Sequence, residues 1–239
     1  MRIGALRYRD NTPYRMLLTG LNVSDKMVAI YNQIQNRMTL LSTFLAFFPA
    51  LVLLSAGASV YWLCVAPSIF SVFAIAFSLY GIPLLTHYIH RYFHPIAEGI
   101  GYLRGDNYSP WWGSHQIQSI YIAFPALETL LRLIPGAFSA WLRLWGAQIG
   151  RDVYWTPQLE IADRGLIIVG DRVVFGYQVT LVSHVIKPKK DNLMLYVKKI
   201  EIGNDVFLGA RSQLGPGAQI QDGTFLPILT QVYPNRGAK

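Results

Sequence analysis

Few side chains in this sequence can do chemistry at neutral pH, and most of those that can are imidazoles. The chain has five histidines and one cysteine, Cys64. His87, His90 and His94 recur at i, i+3 and i+7, which places them on one helix face. Such a face can carry a metal or a haem, because imidazole is a common metal ligand. No carboxylate accompanies the three, and multi-cluster histidine sites need more histidines than remain. They therefore read as interfacial polar residues near a polar head group, with no metal assigned. His184 stands apart, in the stretch Ser183-His184-Val185-Ile186-Lys187-Pro188-Lys189-Lys190-Asp191-Asn192. A histidine with a pKa of about 6.5 can take a proton from an attacking hydroxyl or amine, an effect worth about 10²–10⁴-fold. A lone cysteine excludes a disulfide scaffold and cysteine-rich zinc or iron–sulfur sites.

These groups are embedded in 239 residues of mass 27.0 kDa, of which only 14% are charged, against about 25% in ordinary soluble domains. The formal charge is +8 and the pI about 9.6. With 52% apolar residues the chain is not disordered. The charge deficit is local. From Met38 to His90, 53 residues pass without Asp, Glu, Lys or Arg. About 20 apolar residues span a bilayer core, so the run predicts two transmembrane helices, 38–63 and 69–88, joined at Cys64-Val65-Ala66-Pro67-Ser68. Pro49 and Pro83 are tolerable kinks in membrane helices. Basic residues flank the run on both sides (Arg2, Arg7, Arg9, Arg15, Lys26 and Arg37 before it; Arg91 and Arg104 after), which predicts that both ends are cytoplasmic. Residues 1–37 read as a basic cytoplasmic segment and residues 38–90 as the hairpin. Cys64, in the membrane turn, is a poor nucleophile.

Residues 91–148 mix aromatics, prolines and arginines. Tyr108-Ser109-Pro110-Trp111-Trp112-Gly113 reads as a turn with two indoles at the lipid boundary. Two short amphipathic helices are predicted between Gln116 and Trp145, broken at Pro135-Gly136, lying on the inner leaflet or against the following domain.

Residues 149–239 carry a six-residue repeat. Apolar residues advance by six through Ile149, Trp155, Ile161; Val169, Phe175, Leu181; and Ile202, Leu208, Leu214, Ile220, Leu226, Val232. The next residue is usually small, as at Gly150, Gly170, Gly176, Gly203, Gly209 and Gly215. A period of six is neither strand nor helix. It predicts a parallel β-solenoid with one short strand and one turn per unit, three units per coil and about four coils. The register breaks twice, with two extra residues between Ile161 and Val169, and 21 residues, read as a coil plus three, between Leu181 and Ile202. The second break contains His184, and loops leaving a rigid scaffold commonly carry function.

The segments Leu144-Trp145-Gly146-Ala147-Gln148-Ile149-Gly150, Val169-Gly170-Asp171-Arg172-Val173-Val174-Phe175-Gly176, Ile202-Gly203-Asn204-Asp205-Val206-Phe207-Leu208-Gly209 and Leu214-Gly215-Pro216-Gly217-Ala218-Gln219-Ile220 resemble the hexapeptide-repeat acyltransferases. The likeness is to the galactoside, maltose and xenobiotic acetyltransferase branch, with Phe207 where that branch usually has Trp. The apolar helices ahead of the repeat also resemble the membrane-linked solenoid domains at the ends of polylysine-synthetase-like peptide synthetases. The resemblance implies a short left-handed parallel β-helix after the helical hairpin and amphipathic helices, a homotrimer, and acyl-CoA (acetyl-CoA) as donor substrate, with no permanently bound cofactor. It implies His184 as the catalytic base. It points to Ser183, Lys187, Asn192, Phe207, Gly209, Ala210, Arg211 and Gly215 for the donor, with Glu160, Asp163 and Gln158 as polar candidates for the acceptor. Lys189, Lys190 and Arg236 are further cations for the phosphates of CoA. Backbone N–H groups near Gly209 or Ser183 are the expected oxyanion donors. One histidine in the repeat excludes the three-histidine zinc site of the gamma-type carbonic anhydrases.

The expectation is therefore a membrane-anchored acyltransferase at the bacterial inner membrane, contacting lipids and a lipid-linked, saccharide or amphiphilic acceptor. The alternative is a non-catalytic trimerising scaffold or accessory module. Nucleic-acid binding is not expected, because the basic excess flanks the spans and forms no stripe.

Overall fold

The computed structural model describes residues 38–105, 107–189 and 192–238. The basic segment 1–37, Lys190 and Asp191 lie outside the described residues. The first apolar stretch comprises α1 (Leu40–Ala46) and α2 (Phe48–Val65). The break at Phe47 is followed by Pro49 in the first turn of α2, where a missing N–H costs nothing. The second comprises α3 (Ile69–Ala76), a π-helical turn (Phe77–Gly81) and α4 (Ile82–Phe93), with Pro83 in the first turn of α4. Both stretches are long and apolar enough to cross a membrane, at 26 and 25 residues with mean hydropathy 2.0. Their most apolar windows are only 22% and 17% buried, unlike the core helix of a soluble protein. Ser78 in the π turn meets Ser55 and Ser59 at 2.9 and 3.1 Å, joining the two legs through small polar residues.

Helices α5 (Pro110–Ala123), α6 (Ala126–Arg132) and α7 (Ala137–Leu144) follow. The expected turn at Tyr108–Gly113 is instead the start of α5. Pro110 sits at its first position, where a fixed φ favours helix. The helices share one apolar core with the hairpin and the repeat: Leu45, Phe48 and Val52 meet Ile117, Ile120 and Tyr121, and Phe138, Trp141 and Trp145 join Ile149, Ile161 and Phe175. Tyr80 and Tyr121 hydroxyls donate to the Leu127 and Leu79 carbonyls, each at 2.8 Å. Arg143 covers the first coil, donating to the carbonyls of Ile149 and Gly150 at 3.0 and 2.7 Å. An open solenoid end needs such a cap.

The repeat coils as the period of six predicts. One face stacks β2 (Gln148–Ile149), β4 (Ile167–Val169), β9 (Ile200–Ile202), β12 (Gln219–Ile220) and β15 (Gly237–Ala238) in parallel. The second stacks β5 (Val174–Phe175), β10 (Phe207–Leu208) and β13 (Phe225–Leu226), and Tyr154 bridges to Val174. The third stacks β3 (Glu160–Ile161), β6 (Thr180–Leu181), β11 (Gln213–Leu214) and β14 (Gln231–Val232). Ile149, Val169, Ile202 and Ile220 point inward in register, as do Phe175, Leu208 and Leu226, and Ile161, Leu181, Leu214 and Val232.

Each corner has a left-handed residue three positions after the inward one. These are Asp152, Arg172, Asp205 and Gly223 at the first corner, Gln158, Gln178, Arg211 and Leu229 at the second, and Gly217 and Asn235 at the third. The missing members of the third corner are Arg164 and His184. Arg164 opens a 3₁₀ turn (Arg164–Leu166), and His184 opens β7 (His184–Lys189). Both register breaks thus lie at one corner, in adjacent coils. The second break is not a coil plus three residues. Ile202 pairs directly with Val169, so Leu181 to Ile202 is one step of six carrying an insertion of fifteen. The insertion is an antiparallel hairpin of β7 and β8 (Asn192–Val197), extended by β1 (Gly99–Tyr102), which pairs Gly99 with Val197.

Candidate active site

The two departures at the third corner bring Asp163 and His184 together. They are 21 residues apart in sequence, but a coil step stacks Ile161 on Leu181, so the residues that follow are neighbours. His184 Nδ1 lies 2.7 Å from Asp163 Oδ2. Asp163 is buried and fully engaged: its Oδ1 accepts the Trp111 indole N–H at 2.8 Å, and its Oδ2 also accepts the Ser183 backbone N–H at 3.1 Å. Its carboxylate can therefore take Nδ1–H from His184 and hold the ring in the tautomer with a bare Nε2, the form a general base requires. The His184 side chain keeps 16% of its surface exposed.

Helix α5 closes the site from the other side. Trp111, His115 and Gln118 project from one face of it, at i, i+4 and i+7. The Trp111 ring sits 4.4 Å from that of His184 and stacks on His115 at 4.9 Å; His115 meets His184 edge-on at 5.5 Å. Leu195 and Val197 of β8, with Leu103 and Leu166, pack on Trp111, so the inserted hairpin clamps the indole over the site. Burial pushes the His115 pKa below its ordinary value, against the opposing pull of Asp163. Its Nδ1 is buried without a hydrogen-bond partner.

Arg164, the residue after Asp163, is turned inward and fixes the first break. It is 1% exposed, pairs through Nε and Nη2 with Glu128 of α6 at 2.5 and 2.9 Å, and lies over the Tyr121 ring at 5.1 Å. Its backbone N–H donates to Gln118 Oε1 at 2.8 Å, and Glu128 also accepts the Trp141 indole N–H. Buried charges are tolerated when paired and hydrogen-bonded in this way. The network positions Asp163 and does no chemistry itself.

Several sequence expectations are corrected. Of the backbone N–H groups near Gly209 and Ser183 expected as oxyanion donors, that of Ser183 is bonded to Asp163 and that of Gly209 to the Leu226 carbonyl at 2.8 Å, which leaves the role to their neighbours in those turns. The Ser183 side chain is wholly buried on the Leu166 carbonyl, so it cannot meet a donor substrate. Asn192 is not free either: its amide makes a two-way bond with the Arg104 backbone, 3.0 Å each way, tying the hairpin to the end of β1. Asp163, named as an acceptor candidate, is bonded to His184 Nδ1. Glu160 points outward from β3, and Gln158 accepts from Tyr177 at 2.7 Å. Trp111 belongs to the site, not to a lipid boundary.

Gly215 lies at the third corner one coil beyond His184, whereas Phe207 lies on the second face and Gly209, Ala210 and Arg211 turn the second corner. One chain does not bring this last group to His184. Arg211 donates to Gln178 at 3.0 Å, and Lys189 lies on Tyr102 at 3.3 Å. Lys187 and Arg236 are exposed.

Sequence reasoning missed His115 and Trp111. The detectable signal was their four-residue spacing after a proline that starts a helix. Together His115, Asp163 and His184 place ligand atoms within 4.8 Å of one another, close enough to share a divalent cation. Such an ion would replace the Asp163–His184 hydrogen bond, so base and metal uses exclude each other. His87, His90 and His94 do not form such a set among the described residues; His90 Nε2 bonds the Tyr108 hydroxyl at 2.6 Å instead.

No family model matches the chain. Over 123 residues, 51% of its length, it is 28% identical to the delta-poly-L-ornithine synthetase of Acinetobacter baumannii (strain AB307-0294), and that segment is 9% of the relative. Among solved structures, a hexapeptide-repeat acetyltransferase from Vibrio cholerae, complexed with acetyl-coenzyme A, is 16% identical, with 50% of this chain and 82% of that one covered and a TM-score of 0.32. A galactoside acetyltransferase in complex with coenzyme A gives 15%, 47%, 74% and 0.31. An N-acyltransferase from Bacillus cereus, holding dTDP-4-amino-4,6-dideoxyglucose and coenzyme A, gives 13%, 41%, 80% and 0.28. At such scores the coil assignment stands on this chain's own strand register. All three neighbours are acetyl- or acyltransferases crystallised with coenzyme A or its acetyl ester, and the sequence relative is a synthetase many times longer than the matching segment.

Proposed function

We propose that the chain is a membrane-anchored acyltransferase that moves an acyl group, foremost acetyl, from a CoA thioester to a hydroxyl or amine, with His184 as general base. The observation that carries this reading is the 2.7 Å contact of His184 Nδ1 with an Asp163 carboxylate that Trp111 and the Ser183 backbone N–H hold in place. His184 Nε2 takes the acceptor's proton as its oxygen or nitrogen attacks the thioester carbonyl. The tetrahedral oxyanion collapses, the C–S bond breaks, and the imidazolium returns the proton to the departing CoA thiolate. No covalent acyl-enzyme is needed. Burial lowers the His115 pKa, which disfavours a second positive charge beside the imidazolium.

A homotrimer completes the site in this reading. The second face exposes Tyr154, Phe207 and Phe225, the last two stacked at 5.1 Å, an apolar column suited to a neighbouring prism. A neighbour would bring the second-corner residues Gly209 to Arg211 toward His184, and Lys187, Arg211 and Arg236 supply cations for CoA phosphates. The apolar hairpin anchors the enzyme in the bilayer, with the coil on the cytoplasmic side.

Replacing His184 by alanine in the detergent-solubilised protein is expected to lower acyl-CoA turnover, read as thiol release, by about 10²–10⁴-fold with unchanged thermal stability. Undiminished turnover would return the coil to the scaffold reading.

A further inference from the structure

A cavity of about 250 Å³ lies where α4 leaves the apolar stretch, with Asp163 but not His184 in its lining. It accounts for the histidines that the catalytic reading leaves unused. His87, His90, Arg91 and His94 line it from α4, Trp145 and Gln148 from the start of the coil, and Asp163 and Lys199 from the two sides of the third corner. We infer that this cavity binds the phosphate of an amphiphile's head group; as a statement about acceptor class it rests on the acyltransferase reading.

Its charged lining is mostly cationic, with Arg91 and Lys199 against a single carboxylate. The only carboxylate in its lining among the described residues, Asp163, already accepts from Trp111 and Ser183 and contacts His184. His87 is only 5% exposed; its ring packs on Trp145 at 4.6 Å, the Trp145 backbone is its nearest polar neighbour, and neither ring nitrogen reaches a well-formed hydrogen bond. A buried imidazole left unbonded costs free energy that a ligand can recover. Arg91 is folded over Gly146, with its guanidinium where a β-carbon at 146 would lie, and Gly146 has a φ of +94° that favours glycine. A second cation, Lys199, is shared with Glu98 at 3.4 Å. Of the cavity's polar lining, Arg91 and Gln148 are exposed and His87 and Asp163 are buried, so the mouth is cationic and the floor carries the imidazole. Tyr92 and Phe93, on the same turns of α4, are exposed aromatics suited to the lipid boundary. A phosphate with an alkyl tail fits this arrangement, with the anion on Arg91 and His87 and the tail beside α4.

The test uses the full chain in detergent, titrated calorimetrically with dioctanoyl phosphatidic acid, phosphate-free dioctanoylglycerol, inorganic phosphate and coenzyme A. The phosphatidic acid is expected to bind and the diacylglycerol not to. Arg91→Gln is expected to weaken binding by about tenfold or more, the loss typical of a charge-assisted contact. His87→Phe, which keeps a ring against Trp145, should do the same. Should His87→Phe prove unstable, Arg91→Gln at the exposed mouth decides alone. Equal binding by wild type and Arg91→Gln overturns the site. Inorganic phosphate binding as tightly as the lipid, or coenzyme A competing with it, overturns the lipid source. His184→Ala must retain lipid binding whatever its turnover, which separates failure of the cavity from failure of the catalytic base.

Discussion

Two corners of the coil obey one rule and the third breaks it twice. At the first two, every turn places a left-handed residue three positions after an inward apolar one, and the side chains there make only exposed cross-coil pairs such as Arg172–Asp205 and Arg211–Gln178. At the third, the first two coils insert two and fifteen residues, and the left-handed slot goes to Arg164 and His184. The obedient corners hold the stack together. The disobedient one collects the buried ion pair, the carboxylate–imidazole contact and the wall of the cavity. Loops that leave a rigid scaffold commonly carry function, and two suspensions of the repeat in adjacent coils supply two groups at contact distance.

The comparison breaks most severely at Arg164. Arg164→Leu would leave the Glu128 carboxylate buried with the Trp141 indole as its remaining partner. Truncating one member of a buried pair typically costs about 3–5 kcal/mol, so a drop of that size in unfolding free energy is expected. Adding Glu128→Met should recover most of it, because a buried pair exchanged for apolar packing is often neutral. A single variant as stable as wild type would mean that the corner is not held by this pair.

Asp163→Asn tests the chemistry of the corner rather than its stability. The amide keeps the volume but offers Nδ1–H of His184 no carboxylate, and can turn its own N–H toward the ring. Turnover is expected to fall on the order of 10²-fold from misorientation of the base. The loss should appear in kcat with KM for acyl-CoA unchanged, a split that loss of folded protein would not produce. Full kcat in the Asp163→Asn enzyme would make Asp163 structural only.

The coil was legible in the sequence because a period of six records which residue points inward: eleven of the twelve inward residues named from it, from Ile149 to Val232, pair in the expected column, and Trp155 stacks on Phe175 at 4.6 Å beside the bridge of Tyr154 to Val174. The break at Leu181 is visible in the sequence, but its length misleads. Sequence distance cannot say whether 21 residues advance the coil or leave it, and only the pairing of Ile202 with Val169 shows that they leave. His184 was legible as the one histidine of the repeat. His115 and Trp111 were not, because an aromatic helix start beside an apolar run has the composition of a membrane interface, and only packing against Asp163 separates the two. Likewise Ser183 and Asn192 looked like ligand-binding residues by type, while their hydrogen bonds are spent on the Leu166 carbonyl and the Arg104 backbone.

The smallest effect sharpens the rule at the obedient corners. Leu229 holds φ at +61° with its side chain 64% exposed, so it accepts left-handed strain and receives little burial in return. An L-residue there loses about 1–2 kcal/mol, and glycine removes that strain while adding about 0.4–1 kcal/mol of unfolded-state entropy. Leu229→Gly is therefore expected to stabilise by about 0.5–1 kcal/mol. Gly223 occupies the same slot at the first corner with φ +69° and open space where a β-carbon would lie, so Gly223→Ala incurs strain without a clash and should destabilise by a similar amount. Opposite signs at the two sites, read from denaturant midpoints with equal slopes, would establish that the left-handed slot is a property of the coil. The same sign at both would mean that each corner is shaped by its own neighbours, and the departure at His184 would then lose its meaning as a departure.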